Sequence, residues 1–190
     1  DWDELSDLEV VHCIAILNPD TGDEEIYSDS YGKGKDIKTA LAQLSLADRL
    51  IGHNIDKFDI PALEKLYPSL NLNNAASVDT LLASRIMAPD IMRTDFQNQR
   101  MPGNLRGRYS LEAWGHRLGS HKGDFGKQTD WSEFTEQMAT YCQQDVRVNT
   151  KLWHLIEDTF NEDVYQMERD FRDIILEQEA VGVEFDEEAA

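Results

Sequence analysis

The apolar positions of this chain change period several times, and each change predicts an element. Residues 9–17, EVVHCIAIL, form a run of apolar and β-branched side chains, the composition of a buried strand. Asn18-Pro19-Asp20-Thr21-Gly22 is a turn, and residues 24–28, EEIYS, return as a second strand to make a hairpin. Residues 30–35, with Gly32 and Gly34, read as a loop. Asp36 then caps a helix running to about Gln43, with Ile37, Leu41 and Leu44 on one face. A short strand, RLIG, occupies 49–52 and ends at His53-Asn54. Residues 60–67, IPALEKLY, form a helix with Pro61 in its first turn, where a missing N–H costs nothing. Asp79 caps the helix TLLASRIMA, and Ser110 caps LEAWGHRL, stopped by Gly119. Ser132 opens a long helix over 132–160, and a second follows over 162–181, ended by Gly182. Strands alternating with helices indicate an α/β domain, and the last two helices run on without a strand between them.

Residues 89–109 break the pattern. They contain Pro89, Pro102, Gly103 and Gly107, show no helical period, and carry Arg93, Arg100, Arg106 and Arg108 against Asp90 and Asp95. The segment is either an ordinary surface loop or a mobile one that touches a phosphate backbone. Its basic excess matters because the chain as a whole is acidic: 37 Asp and Glu against 18 Lys and Arg give a net charge of −19 over 190 residues. Such a balance excludes nucleic-acid binding by bulk counterion release and disfavours an anionic membrane surface. An anionic substrate is compatible with it only where metal ions offset the local charge. The length fits one domain with an appended element, and no apolar run is long enough to span a membrane. The acidic first residues, DWDELSDLEV, are not a signal peptide. Cys13 and Cys142 make no disulfide framework and have no metal-ligand spacing, so they read as small core residues in a reducing, cytoplasmic compartment.

Two clusters carry chemistry. The first, Gly52-His53-Asn54-Ile55-Asp56-Lys57-Phe58-Asp59, lies between a short strand and a helix, where a carboxylate can hold a hard cation at the rim of a sheet. The second, Tyr141-Cys142-Gln143-Gln144-Asp145, lies within the long helix. Its i, i+4 spacing sets Tyr141 and Asp145 on one face, where a phenol and a carboxylate could position a water on a metal-bound phosphate. Each also has a plain reading, a helix cap in one case and a packed ring beside a surface acid in the other.

Taken together, N-x3-F-D followed by Y-x3-D resembles the second and third motifs of the DEDD 3′–5′ exonucleases, tyrosine subtype. The ordered segments HNIDKFDIPALEKL, SVDTLLASRIM, RYSLEAWGHRLG, HKGDF and MATYCQQDVRVNTKLW resemble the exonuclease domains of bacteriophage replicative DNA polymerases of family A, from about Val11 to Ile156. The resemblance implies an RNase H-like mixed sheet flanked by helices, with a C-terminal helical extension. It implies two divalent metals, Mg2+ or Mn2+, bound by four carboxylates and hydrolysing the 3′-terminal phosphodiester of single-stranded or frayed DNA. Asp59 and Asp145 would be metal ligands, Tyr141 would orient the attacking water, and Asn54 and Phe58 would lie along the 3′-terminal nucleotide. The partners implied are a DNA 3′ end and the polymerase domain of a parent chain, with no membrane, in the cytoplasm of a bacterium or a phage-infected host.

The chain departs from that family at its start. The family's first motif is D-x-E within the first strand, whereas only Asp1-Trp2-Asp3 stand upstream of His12-Cys13, with no apolar strand around them. The expectation is that the chain begins downstream of that motif and lacks the first strand; a shortened D-x-D motif is the alternative. Residues 173–186, DIILEQEAVGVEFD, resemble the opening of a polymerase domain, which divides the chain into 1–158, the exonuclease domain, and 159–190, a linker helix or polymerase start. A non-catalytic scaffold or DNA-end-binding module is the second functional reading, and a stand-alone RNA-processing exonuclease a weaker third. Asp79 is expected to act as a helix cap, His53 as a hydrogen-bonded structural residue, and Trp114 and Trp131 as core. Lys122 and Lys127 would add positive potential near the groove.

Overall fold

The computed structural model describes residues 5–72, 76–120 and 132–182. Asp1, Asp3, Lys122, Lys127, Trp131 and the HKGDF segment lie outside the described residues.

The hairpin forms as its turn chemistry dictates. Strands β1 (Ile14–Leu17) and β2 (Glu24–Tyr27) pair antiparallel, with Ile14 opposite Tyr27. Between them the Asn18 side chain accepts from the Asp20 and Thr21 amides, and Gly22 takes the left-handed conformation that closes the turn. The strand expected over 9–17 is confined to its last four residues. After Tyr27 the partner backbone turns away at Ser28 into a 3-10 turn, Asp29–Tyr31, so residues 9–13 find no ladder to join.

Helix α1 (Ile37–Leu44) starts where Asp36 accepts from the Thr39 amide at 2.8 Å, and it buries Ile37, Ala40 and Leu41. A second strand pair follows: β3 (Arg49–Gly52) runs parallel to β4 (Ala76–Asp79), with helix α2 (Asp59–Leu66) between them in sequence. The described strands therefore form two separate two-stranded sheets, one antiparallel and one parallel, within a mixed α/β architecture. Strand β4 was not expected, because Ala76-Ser77-Val78-Asp79 carries little strand signal. Its buried polar side chains are satisfied from outside the strand: Arg169 donates to the Ser77 hydroxyl at 2.8 Å, and the Asp79 carboxylate accepts from two amides.

Helix α3 (Thr80–Met87) begins directly at the end of β4, capped by Asp79 as expected. Residues 89–109 then correct the expectation of a loop. They contain helix α4 (Ile91–Gln97) and a 3-10 turn at Gly103–Leu105. The helical period is hidden because the inward positions one turn apart are Ile91 and an acid, Asp95, which is buried by pairing with Arg117. Helix α5 (Leu111–Arg117) is capped by Ser110. The long helix α6 runs Glu136–Ile156, with Thr135 rather than Ser132 as its cap: the Thr135 hydroxyl accepts from the Met138 amide at 3.2 Å. A 3-10 turn, Glu157–Thr159, ends it, and α7 (Glu162–Val181) follows with Gly182 at its end.

The main core gathers around α6. Val148, Leu152, Trp153 and Ile156 pack with Val78, Ala83, Trp114 and Tyr165, all nearly sealed from solvent. At roughly 1.5–3 kcal/mol for each large side chain removed from water, this cluster fixes the rotation of α6 against the strands. That rotation decides where the opposite end of the same helix points Tyr141 and Asp145. Among the described residues no helix is long and apolar enough to cross a membrane.

Candidate active site

The loop after β3 is built on two local constraints. Gly52 has no room for a side chain, since an added Cβ would stand 2.6 Å from the Ile55 side chain folded back over it. Asn54 takes a left-handed conformation, φ 64°, which asparagine tolerates better than most residues. Its carbonyl accepts from the Lys57 and Phe58 amides, and its own amide donates to Asp79 Oδ1 at 2.8 Å. The same carboxylate oxygen caps α3 through the Leu81 amide at 2.9 Å. Asp79 is thus more than a cap: it ties the site loop to the end of the neighbouring strand.

This loop delivers Phe58, 38% exposed, and then Asp59 as the first residue of α2, where the positive end of the helix favours an anion. Asp59 keeps a face open to solvent, yet protein crowds its carboxyl from the other sides. That burial pushes it up to about 6, and the negative charges of Asp79 and Asp145 push in the same direction. Asp59 and Asp145, distant in sequence, are therefore electrostatic neighbours. Tyr141 and Asp145, both half-buried, lie one turn apart on α6. One turn beyond, Asn149 accepts from Thr80 Oγ1 at 2.6 Å and donates to the Ile51 carbonyl at 3.2 Å. His53 Nδ1 lies 3.0 Å from the same Thr80 oxygen, in keeping with a structural histidine. This network locks the register of α6 against the end of β3, which carries the loop to Asp59.

The chain is similar to phage DNA polymerases. It is 31% identical over 165 residues to the DNA-directed DNA polymerase of Escherichia phage T7, covering 74% of this chain and 23% of that protein. It is 32% identical over 166 residues to the DNA-directed DNA polymerase of Enterobacteria phage T3, with the same coverage of each. The chain spans about a quarter of the length of these curated relatives. No protein-family profile matches it.

Of three further residues that shape the site, Asp56 lies within the first cluster without an assigned role, and Tyr165 and Arg172 had no local signal. Asp56, Tyr165 and Arg172 meet around the site loop: Tyr165 Oη accepts from the Asp79 amide at 2.7 Å, and Arg172 reaches both Asp56 and Asp79. Asn149 could have been found by extending the spacing that links Tyr141 to Asp145 by one more turn. The arginines of the 89–109 segment are partly committed to the protein itself. Arg93 pairs with Asp90 at 3.9 Å, and Arg106 lies over the Phe96 ring at 5.1 Å. Trp114 is core, 3% exposed, as expected. Cys13 and Cys142 are free, half-buried and hydrogen-bonded to each other.

Proposed function

We propose that this chain is the 3′–5′ exonuclease part of a phage-type DNA polymerase. It hydrolyses the 3′-terminal phosphodiester of single-stranded or frayed DNA and so proofreads during replication. The observation that carries this reading is that the negative charge of Asp145, one helical turn from Tyr141, acts on the carboxyl of Asp59 on another element. Neighbouring carboxylates that repel one another are a poor arrangement for stability and a good one for a divalent cation. The donor chemistry suits Mg2+ or Mn2+, since such ions are held by one or two carboxylates together with substrate phosphate oxygens. Asp59 and Asp145 would hold the metal, which when bound polarises the phosphate and lowers the charge that water must approach.

The chain's own residues supply the rest. The Tyr141 hydroxyl, on the same helix face as Asp145, accepts or donates a hydrogen bond that orients the attacking water. Phe58 offers an exposed ring on which the terminal base stacks, a contact worth about 1–3 kcal/mol. Asn54, held in its left-handed turn, lies along the terminal nucleotide. The RNase H-like arrangement, the division into an exonuclease domain over 1–158 and a polymerase-linking piece over 159–190, and the bacterial cytoplasm as the working compartment belong to the same proposal.

The test is cleavage of a 3′-labelled single-stranded oligonucleotide with Mn2+. Stepwise loss of the 3′ nucleotide that disappears in Asp145→Ala supports the reading; a folded protein that leaves the substrate intact refutes it. A second reading, a non-catalytic module that binds DNA ends, is favoured by one observation. Among the described residues no three Asp, Glu, His or Cys side chains gather into a metal-binding group. Oligonucleotide binding without cleavage, unaffected by Mn2+, would select it.

A further inference from the structure

One face of α7 grips the site loop. Tyr165, Arg169 and Arg172 recur at helical spacing and all point toward the ends of β3 and β4. Tyr165 holds the Asp79 amide, and Arg169 donates to Ser77 at 2.8 Å and stands 3.4 Å from Asp56. Arg172 lies between two carboxylates, with Nη2 2.9 Å from Asp56 Oδ2 and Nη1 3.3 Å from Asp79 Oδ2. Both acids are sealed from water, their side chains 7% and 3% exposed, and Asp56 Oδ1 has no hydrogen-bond partner among the described residues. The guanidinium also reaches Asp173 on its outer side.

We propose that Arg172 is a positioning residue for the candidate active site, acting by neutralising Asp56 and Asp79 so that the loop bearing Asn54, Phe58 and Asp59 stays closed. The physical chain is short. Without Arg172, Asp79 loses the cation beside it and Asp56 keeps Arg169 at 3.4 Å on one side, so the two buried carboxylates are no longer bridged and repel. Asp79 is the anchor of the Asn54 amide, so its withdrawal frees a residue already held at φ 64°. The turn that presents Phe58 and Asp59 then loses its fixed end. Rigid support of this kind decides whether reacting groups sit within the narrow tolerance that catalysis needs. The consequence for DNA cleavage rests on the exonuclease reading; the consequence for loop order does not.

The experiment is hydrogen exchange by mass spectrometry on the 190-residue chain, run beside the oligonucleotide assay. In Arg172→Ala, exchange over residues 53–59 should rise about tenfold while the β1–β2 hairpin is unchanged, as expected for a buried acceptor losing its charged partner. Adding Asp56→Asn to Arg172→Ala should bring exchange back toward the wild-type value, because the repulsion is gone even though the arginine is not restored. A role confined to docking α7 would not be rescued in this way. Arg172→Lys, which keeps the charge but cannot span both acids, should fall between, and it serves if Arg172→Ala does not fold. Turnover should follow the same order, with the loss in kcat rather than KM. Unchanged exchange over 53–59, a rise across the whole protein, or no relief from Asp56→Asn would overturn the proposal. If the wild-type chain leaves DNA intact, the exonuclease reading fails and the exchange ranking still decides this one.

Discussion

Replacing Arg117 with alanine should destabilise this protein far more than loss of a surface charge would. Arg117 meets Asp95 with two hydrogen bonds, Nε to Oδ1 at 2.9 Å and Nη2 to Oδ2 at 2.7 Å. Nη2 also donates to the Arg108 carbonyl at 2.7 Å, and the guanidinium lies 4.7 Å from the Trp114 ring centroid. The side chains of Arg117 and Asp95 are 10% and 2% exposed. Removing the arginine leaves a carboxylate shut away from water, supported among the described residues by the Gly107 amide at 2.9 Å and the charge of Arg106. Stranding one partner of a buried pair costs about 3–5 kcal/mol. Asp95 is covered by its neighbours yet lies in the outer layer of the protein, where water's screening is closer than in the core, so the lower end applies. The expected cost is about 3 kcal/mol, or a fall in Tm of about 6–12 °C for a chain of this size. Urea titration followed by far-UV circular dichroism at neutral pH measures it. Adding Asp95→Asn to Arg117→Ala should recover part of the loss by removing the stranded charge. A single-variant loss under about 1 kcal/mol, typical of exposed pairs, or a double variant worse than the single one, would refute the reasoning.

The same pair sets a pH dependence. Although burial opposes it, the hydrogen bonds and charge of Arg117 hold Asp95 below the usual carboxylate range, so its stabilisation is present above about pH 4 and is lost as pH falls through the lower folded value. Urea midpoints between pH 2 and 7 should show that acid limb in the wild type and a flatter one in Arg117→Ala. Asp59 works in the opposite sense. Its folded value of about 6 lies above an unfolded value near 4, so its ionisation destabilises the fold progressively from about pH 4 to 6 and the penalty persists above. The full shift of about 2 units would be worth about 3 kcal/mol, but Asp59 keeps an open solvent face, so about 1 kcal/mol is expected after screening. Asp59→Asn should therefore melt a few degrees above wild type at pH 8, equal it near pH 4, and lose its advantage when Mn2+ is added to both. Gly52→Ala should cost about 1–3 kcal/mol by overpacking against Ile55 and slow oligonucleotide cleavage, and Ile55→Ala in the same chain should relieve both in a melting and turnover comparison.

Much of the local structure was legible because its causes are local. Asp36, Asp79 and Ser110 each cap the helix expected of them, and α7 spans Glu162–Val181 as expected, with Gly182 at its end. The Asn18–Gly22 turn specifies the hairpin within a few residues. Two of the departures share an origin. Strand β4 and helix α4 put polar side chains inside, and a polar residue reads as surface until its partner is known. Ser77 and Asp95 are buried because Arg169 and Arg117 arrive from elsewhere in the chain. Strand β1 is shorter than its apolar run because pairing depends on where the partner turns away.

For the site, the sequence by itself determined the chemistry on offer. It marked Asp59 at a helix start, Tyr141 and Asp145 one turn apart, and Asn54 and Phe58 in a strand-to-helix loop, since these follow from the period of a helix and the nature of a turn. Only the tertiary structure decided that Asp59 and Asp145 are electrostatic neighbours, that Asn149 sets the rotation between them, and that Arg172 closes the loop from another helix. Those relations are made by side chains meeting across long stretches of chain. Charge compensation between residues so far apart leaves no local period to read, because the free energy that selects it depends on distance in space and not on order in sequence.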